Sequence, residues 1–107
     1  MTVFIPHDNG KYDLTNAVRY GERVVLFTRD TFPDTVDDEL PKIMAVIGQK
    51  LVSRYDPMTD RLCLTGSPLY QVACAYALGW TRRPLRLLRY DRLERAYYPI
   101  SLPHIGE

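Results

Sequence analysis

The sequence is poor in the residues that build metal centres and disulfide frameworks. Its two histidines, His7 and His104, lie at opposite ends of the chain, and neither Cys-x-x-Cys nor His-x-x-x-His spacing occurs. No pattern therefore supports a metal site. We expect Cys63 and Cys74 to be free thiols in the core rather than a disulfide, which suits a reducing cytoplasm.

Long apolar runs and phosphate-binding motifs are also missing. No stretch approaches the about 20 apolar residues of a membrane helix, and the first residues lack the basic and apolar regions of a secretion signal. The patterns G-x-G-x-x-G and G-x-x-x-x-G-K-[ST] do not occur, so support for a nucleotide cofactor is weak. We therefore expect a cytoplasmic protein with no cofactor and no membrane segment.

What is present is an ordinary globular composition, with 46% hydrophobic and 25% charged residues in 107 positions. This length predicts one domain, residues 1–107, able to bury a core without disulfides or metals. The best-defined stretch is Asp60–Gly79. An apolar strand over Arg61–Thr65 ends at Gly66, Ser67 occupies a favoured N-cap position, and Pro68 suits the first helical residue. Apolar residues at helical spacing predict the buried face of this helix: Leu69, Val72, Ala73, Tyr76 and Ala77.

The remaining segments predict four strands and two helices. The strands are Thr2–Pro6, Arg23–Thr28, Leu85–Tyr90 and Ala96–Leu102. A brief helix capped by Asp13 or Thr15 ends at Gly21, with Leu14, Ala17 and Val18 inward, and a longer helix spans about Asp37–Ser53. An amphipathic helix over residues 85–95 is the alternative to a hairpin there, but the flanking prolines and the Tyr97-Tyr98 pair favour the hairpin.

This order of elements predicts an α/β three-layer sandwich. Its mostly parallel sheet has the strand order 2-1-3-4-5 and is closed by a C-terminal antiparallel hairpin. Pro99 would remove a ladder hydrogen bond from a central strand, so the last strand is expected at an edge. That exposed strand, with Tyr97, Tyr98 and Ile100, could pair with a second copy to give a homodimer.

Ligands of such sheets bind beyond the carboxyl ends of the strands, where strand order reverses. The loops His7–Asp13 and Thr65–Pro68 would meet there, and the second opens a helix whose N-terminus attracts anions. The candidate ligand-binding residues are His7, Asn9, Lys11, Asp13, Arg19, Thr65, Gly66 and Ser67. The plainer interpretation is that Gly66-Ser67-Pro68 is only a well-formed helix start.

Charge distribution offers a rival site. Residues 1–60 carry seven Lys/Arg and ten Asp/Glu, whereas residues 61–107 carry seven Arg and three Asp/Glu. Arg82, Arg83, Arg86 and Arg89 could contact nucleic-acid phosphates, although odd spacing on a strand alternates them between faces. A plain charged surface is the alternative. A third hypothesis, a small hydrolase using His7 and Ser67, has no characteristic catalytic spacing behind it.

Three segments carry a family resemblance: Tyr12–Gly21 (Y-D-L-T-N-A-V-R-Y-G), Asp60–Pro68 (D-R-L-C-L-T-G-S-P) and Leu87–Pro99. In these the chain resembles a group of small α/β proteins encoded by tailed phages. The resemblance covers nearly the whole chain and implies a phage protein in the host cytoplasm, with no defined activity or catalytic residues. Together these observations favour a non-enzymatic binding module whose partner is a host protein or a small anionic ligand.

Overall fold

The computed structural model describes residues 1–8, 10, 14–28, 36–80 and 84–102, with only the backbone described for residues 36–39. Its centre is a five-stranded sheet with the order β2-β1-β3-β4-β5, as predicted. The strands are β1 (Thr2–His7), β2 (Glu22–Phe27), β3 (Arg61–Leu64), β4 (Leu85–Asp91) and β5 (Ala96–Leu102).

Strand pairing is parallel except at the C-terminus. Phe4 of β1 lies beside Val24 of β2 on one side and Leu62 of β3 on the other. β3 pairs with β4 in parallel, and β4 pairs with β5 antiparallel. The hairpin over residues 85–95 is therefore confirmed, and β5, which contains Pro99, is an edge strand.

The helices lie on both faces of the sheet. One face carries α1 (Val36–Ile47), which continues as the π-helical turn Gly48–Val52, and α2 (Pro68–Gly79). The other carries a short 3-10 helix, Thr15–Tyr20. Among the helices of the described residues, none is both long enough and apolar enough to span a bilayer.

Two apolar clusters, one on each face of the sheet, form the core. The α-helical side packs Ile47, Leu51 and Leu78 on Phe4 and Leu62 of the sheet. The 3-10 side contains Val3, Ile5, Cys63, Leu88 and Tyr97. Successive residues of one strand belong to different clusters, as period-two alternation requires.

Both cysteines are buried free thiols, as expected. Burial in apolar surroundings raises the pKa of each thiol to about 12. For Cys63, hydrogen bonds with the side chains of Thr65 and Tyr97 act in the opposite direction. Thiols held neutral in this way are poor nucleophiles and poor metal ligands.

Two predicted inward faces were wrong in part. Val18 is exposed, although Leu14 and Ala17 are buried. The buried residues of α2 are Tyr70, Ala73, Cys74 and Leu78, while Leu69, Val72 and Tyr76 point to solvent. Every turn of α2 carries apolar residues on several sides, so hydrophobic spacing alone could not select the buried face.

The predicted caps also differ from those observed. Ser67 does occupy the N-cap of α2, with Pro68 following, but its side chain makes no capping hydrogen bond. Thr15 is already inside the 3-10 helix, and Leu14 holds the cap position without a side-chain bond. Asp13, the other predicted cap, lies outside the described residues. On β5, Tyr97 is buried, so only Tyr98 and Ile100 of the predicted dimer surface are exposed.

Candidate functional site at the carboxyl edge of the sheet

The carboxyl ends of β1 and β3 are neighbours, because these two strands are adjacent and parallel. β1 ends at His7, and β3 runs through Thr65 and Gly66 into α2. The hydroxyl of Thr65 donates to the carbonyl oxygen of His7 at 3.4 Å. The structure therefore brings together four predicted site residues: His7, Thr65, Gly66 and Ser67.

The closest link across this edge joins His7 to Ser67. The backbone N–H of Ser67 donates to Nδ1 of His7 at 2.9 Å. An imidazole nitrogen that accepts a hydrogen bond carries no proton, so in the neutral ring the proton is on Nε2. The main chain at the start of α2 thus fixes the tautomer of His7.

Gly66 permits this close approach. Its φ is +87°, in the left-handed region that side chains rarely adopt. A Cβ at this position would also overlap the Cβ and the carbonyl oxygen of His7. The carbonyl oxygen of Gly66 accepts a hydrogen bond from Nε2 of Gln71, which ties the turn to the first turns of α2.

His7 is packed rather than solvated, with 1% of its surface exposed. Its ring lies 4.7 Å from that of Tyr70, which in turn stacks on Phe27 at 4.6 Å. Nε2 of His7 is buried, and none of the described residues forms a hydrogen bond with it. A buried N–H without an acceptor costs about 1–3 kcal/mol, so this atom is an unfilled donor within the site.

The start of α2 offers few other donors. The N–H of Ser67 is used by His7, Pro68 has none, and those of Tyr70 and Gln71 bond to the Ser67 carbonyl. This leaves the N–H of Leu69 without a main-chain partner among the described residues. The anion-binding capacity of this helix end is therefore smaller than its sequence indicates, and Nε2 of His7 becomes the more important donor.

The other predicted site residues are separated from this edge or lie outside the described residues. Arg19 stands by Tyr20, whose ring also lies under Arg61 at the opposite end of β3. Arg86 and Arg89 project from opposite faces of β4, as their odd spacing predicted. The residues outside the described part are Asn9, Lys11, Asp13, Arg82 and Arg83.

Sequence reasoning missed the aromatic packing that surrounds His7. Phe27 and Tyr70 come from β2 and α2, and nothing local in the sequence links them to His7. In the hydrogen bonding of the described residues, His7 pairs with the main chain of Ser67 and not with its hydroxyl. Across the same residues, no three His, Cys, Asp or Glu side chains are grouped so as to hold a metal ion.

Comparison with known proteins bears on the origin of the chain. A family model described as Phage Pam3 gp32-like protein matches residues 1–104. The comparisons with curated proteins and with solved structures gave no match.

Proposed function

The chain belongs to the family of Phage Pam3 gp32-like proteins, and we propose that it is a non-enzymatic module that binds a small anionic ligand at the carboxyl edge of its sheet. The family match confirms the resemblance drawn from the three sequence segments. The proposed site is centred on His7 and Ser67. A ligand of nucleotide type, with phosphate oxygens as acceptors, is the class that its donors suit.

The observation that supports this most directly is that the buried Nε2 of His7 has no hydrogen-bond partner in the described part of the chain. Its proton is fixed there because Nδ1 accepts from Ser67. Any acceptor brought to this atom removes the cost of a buried, unsatisfied donor, and a phosphate oxygen does so with the added strength of a charged partner. The N–H of Leu69 at the N-terminus of α2, which has no main-chain partner among the described residues, adds a favourable dipole, worth about 0.3–1 kcal/mol.

Nε2 is covered in the structure, so the ligand must displace the groups that shield it. The predicted residues Asn9, Lys11 and Asp13 follow directly after β1 along the chain, and Lys11 would contribute a positive charge. An acidic side chain of a host protein could supply the same acceptor oxygens, and this is the second form of the proposal.

Binding of nucleotides and cyclic dinucleotides to wild type and to Ser67→Glu tests the proposal by calorimetry. We expect wild type to bind at least one of them and Ser67→Glu to bind it about tenfold more weakly, or about 1.4 kcal/mol, because the added carboxylate repels the ligand. Ser101→Glu is the matched control, since Ser101 is exposed on β5 and the charge change is the same. Equal or absent binding in wild type and Ser67→Glu would reject the small-ligand form.

The nucleic-acid alternative through Arg82, Arg83, Arg86 and Arg89 remains a prediction. Two of these residues lie outside the described part of the chain, and the other two face opposite sides of β4. Arg86 and Arg89 therefore do not by themselves form one contact surface.

A further inference from the structure

A separate group of arginines lies at the amino edge of the sheet, on the face that carries the 3-10 helix. Val3 pairs with Arg23 of β2 on one side and with Arg61 of β3 on the other. Val3 belongs to the cluster under the 3-10 helix, and paired residues share a face. Arg23 and Arg61 therefore point to the same side of the sheet.

Arg86 extends this row to the next strand. Leu62 and Leu87 are partners across β3 and β4, so the residues one step before them, Arg61 and Arg86, are neighbours. Leu88 lies in the cluster under the 3-10 helix, and Arg86, two residues earlier, shares its face. From β2 to β4 the row crosses three strand spacings, about 14 Å.

Arg19 joins the row from the 3-10 helix. Its guanidinium carbon lies 5.6 Å from the ring centre of Tyr20, and that of Arg61 lies 5.4 Å from the same centre. Tyr20 is held in place by its own hydroxyl, which donates to the carbonyl oxygen of Tyr97 at 3.0 Å. One anchored aromatic ring thus organises two cations from different elements.

These four cations have no counter-ion among the described residues, where no carboxylate oxygen lies within 4.0 Å of their guanidinium groups. The nearby carboxylate of Asp60 is committed to the N–H groups of Thr2 and Asp56 and to the Thr59 hydroxyl. Arg19 and Arg23 are exposed, and Arg61 and Arg86 are half-buried. Arg23 also donates to the carbonyl oxygen of Leu14 at 3.5 Å, which leaves its charge without a counter-ion in the described part of the chain. Four positive charges of this kind create a local field that favours an anionic partner.

We propose that Arg19, Arg23, Arg61 and Arg86 form a binding surface for the phosphate backbone of a nucleic acid. The spacing of about 3.4 Å per phosphate is measured along the duplex axis, and neighbouring phosphates lie farther apart along the strand itself, so a row of about 14 Å faces about two or three phosphates rather than one. All four cations are arginines, whose planar fork matches phosphate oxygens in pairs. A small anion would use only part of such a row.

The Tyr20 ring favours nucleic acid over an acidic protein. The guanidinium carbons of Arg19 and Arg61 lie 5.6 and 5.4 Å from its centre, so the surface combines cations with an aromatic ring, the combination that binds phosphates and stacks exposed bases. An acidic peptide would use the charges but not the ring. This surface is distinct from the His7 site, because it lies at the other end of β1 and β3.

Fluorescence anisotropy with a labelled single strand and a labelled duplex tests the proposal over a range of salt concentrations. For wild type, log K should fall linearly with log salt. In Arg19→Gln/Arg23→Gln the magnitude of the slope should decrease by about 1.8 for duplex or about 1.4 for a single strand, two phosphate contacts being lost. The two probes show which form of nucleic acid is bound.

Arg89→Gln/Arg92→Gln is the matched control, because both residues are exposed and lie away from the row. It removes the same charge and should leave the slope unchanged. The proposal is overturned if neither nucleic acid binds wild type at about 50 mM salt, or if both double variants lose the same slope. Polyglutamate that binds as tightly as nucleic acid would also overturn it in favour of an acidic protein partner.

A measurement on wild type alone guards against a variant that fails to fold. Phenylglyoxal modifies accessible arginines, and the modified positions are identified by mass spectrometry. Bound nucleic acid should protect Arg19 and Arg23 but not Arg54 and Arg92. Equal protection of all four arginines, or of none, would contradict the proposal.

Discussion

The backbone N–H of Ser67 donates to Nδ1 of His7 at 2.9 Å, a bond that joins the end of β1 to the start of α2. Sixty residues separate the two along the chain. The bond is possible because Gly66, in the left-handed region, lets the chain turn against His7. The carboxyl edge of the sheet therefore depends on one glycine, one histidine and one main-chain donor.

Gly66→Ala should destabilise the protein by about 3 kcal/mol or more. Left-handed backbone costs a side-chain-bearing residue about 1–2 kcal/mol, and the new Cβ overlaps backbone and side-chain atoms of His7 that cannot easily move. Chemical denaturation measures the loss of unfolding free energy.

Gly79→Ala is the control for this change. Gly79 ends α2 without positive φ and has no atom within 4 Å of an added Cβ. Alanine is the better helix former, so this variant should be neutral or more stable by up to about 1 kcal/mol. Similar losses in both variants would show that the contact with His7 does not restrict Gly66.

Asp60→Ala should lower stability by about 2–4 kcal/mol. The buried carboxylate of Asp60 accepts hydrogen bonds from the N–H groups of Thr2 and Asp56 and from the Thr59 hydroxyl. Its removal leaves partly buried donors without an acceptor. Chemical denaturation measures the loss.

Asp91→Ala is the comparison for this change. The Asp91 carboxylate accepts from two N–H groups at the exposed hairpin tip, so its loss should cost about 1 kcal/mol or less. A smaller effect at Asp60 than at Asp91 would contradict this account.

Strand order and the terminal hairpin could be predicted from the sequence because their signals are local. Alternating strands and helices favour a parallel sheet, and Pro99 restricts β5 to an edge. The bounds of β5 were predicted to the residue. These features follow from residue patterns within single segments, and they do not depend on contacts between distant residues.

The details of the site could not be predicted, because they depend on contacts between distant residues. His7 was expected in a loop, but it ends β1 and is buried against Tyr70. The buried face of α2 was misassigned because its apolar residues surround the helix. Arg23 and Arg61 lie on either side of their common partner Val3 only because of the strand register, which cannot be read from the composition.

Alkaline pH should destabilise the protein through its two thiols. In the folded chain the pKa of Cys63 and Cys74 is about 12, against 9.0 for an unperturbed thiol, so the unfolded state loses these protons first. The stabilisation is complete below pH 9 and is lost as pH rises toward 12. Between pH 9 and 10 the unfolding free energy should fall by about 2 kcal/mol for the pair.

The control for this pH effect is Cys63→Ala/Cys74→Ala, which should lose less stability over the same interval. Burial also raises the pKa of Tyr55 above 10.0, so measurements should stay below pH 10 to isolate the thiols. An unchanged pH profile in the double variant would show that the thiols do not cause the decline.

The exposed side of β5 predicts self-association. Tyr98, Ile100 and Leu102 alternate along this edge strand with 43%, 36% and 46% of their surfaces exposed, beside backbone groups that pair with no strand of the described residues. Two copies pairing edge to edge would satisfy those groups and cover the apolar residues.

Sedimentation should therefore show a concentration-dependent dimer. Ile100→Lys should weaken it about tenfold or more, since it places a charge within the paired edge. Leu93→Lys changes a more exposed apolar residue at the hairpin tip, 95% accessible, and should leave the dimer unchanged. A monomer at all concentrations, or equal effects of both lysines, would exclude β5 as the contact.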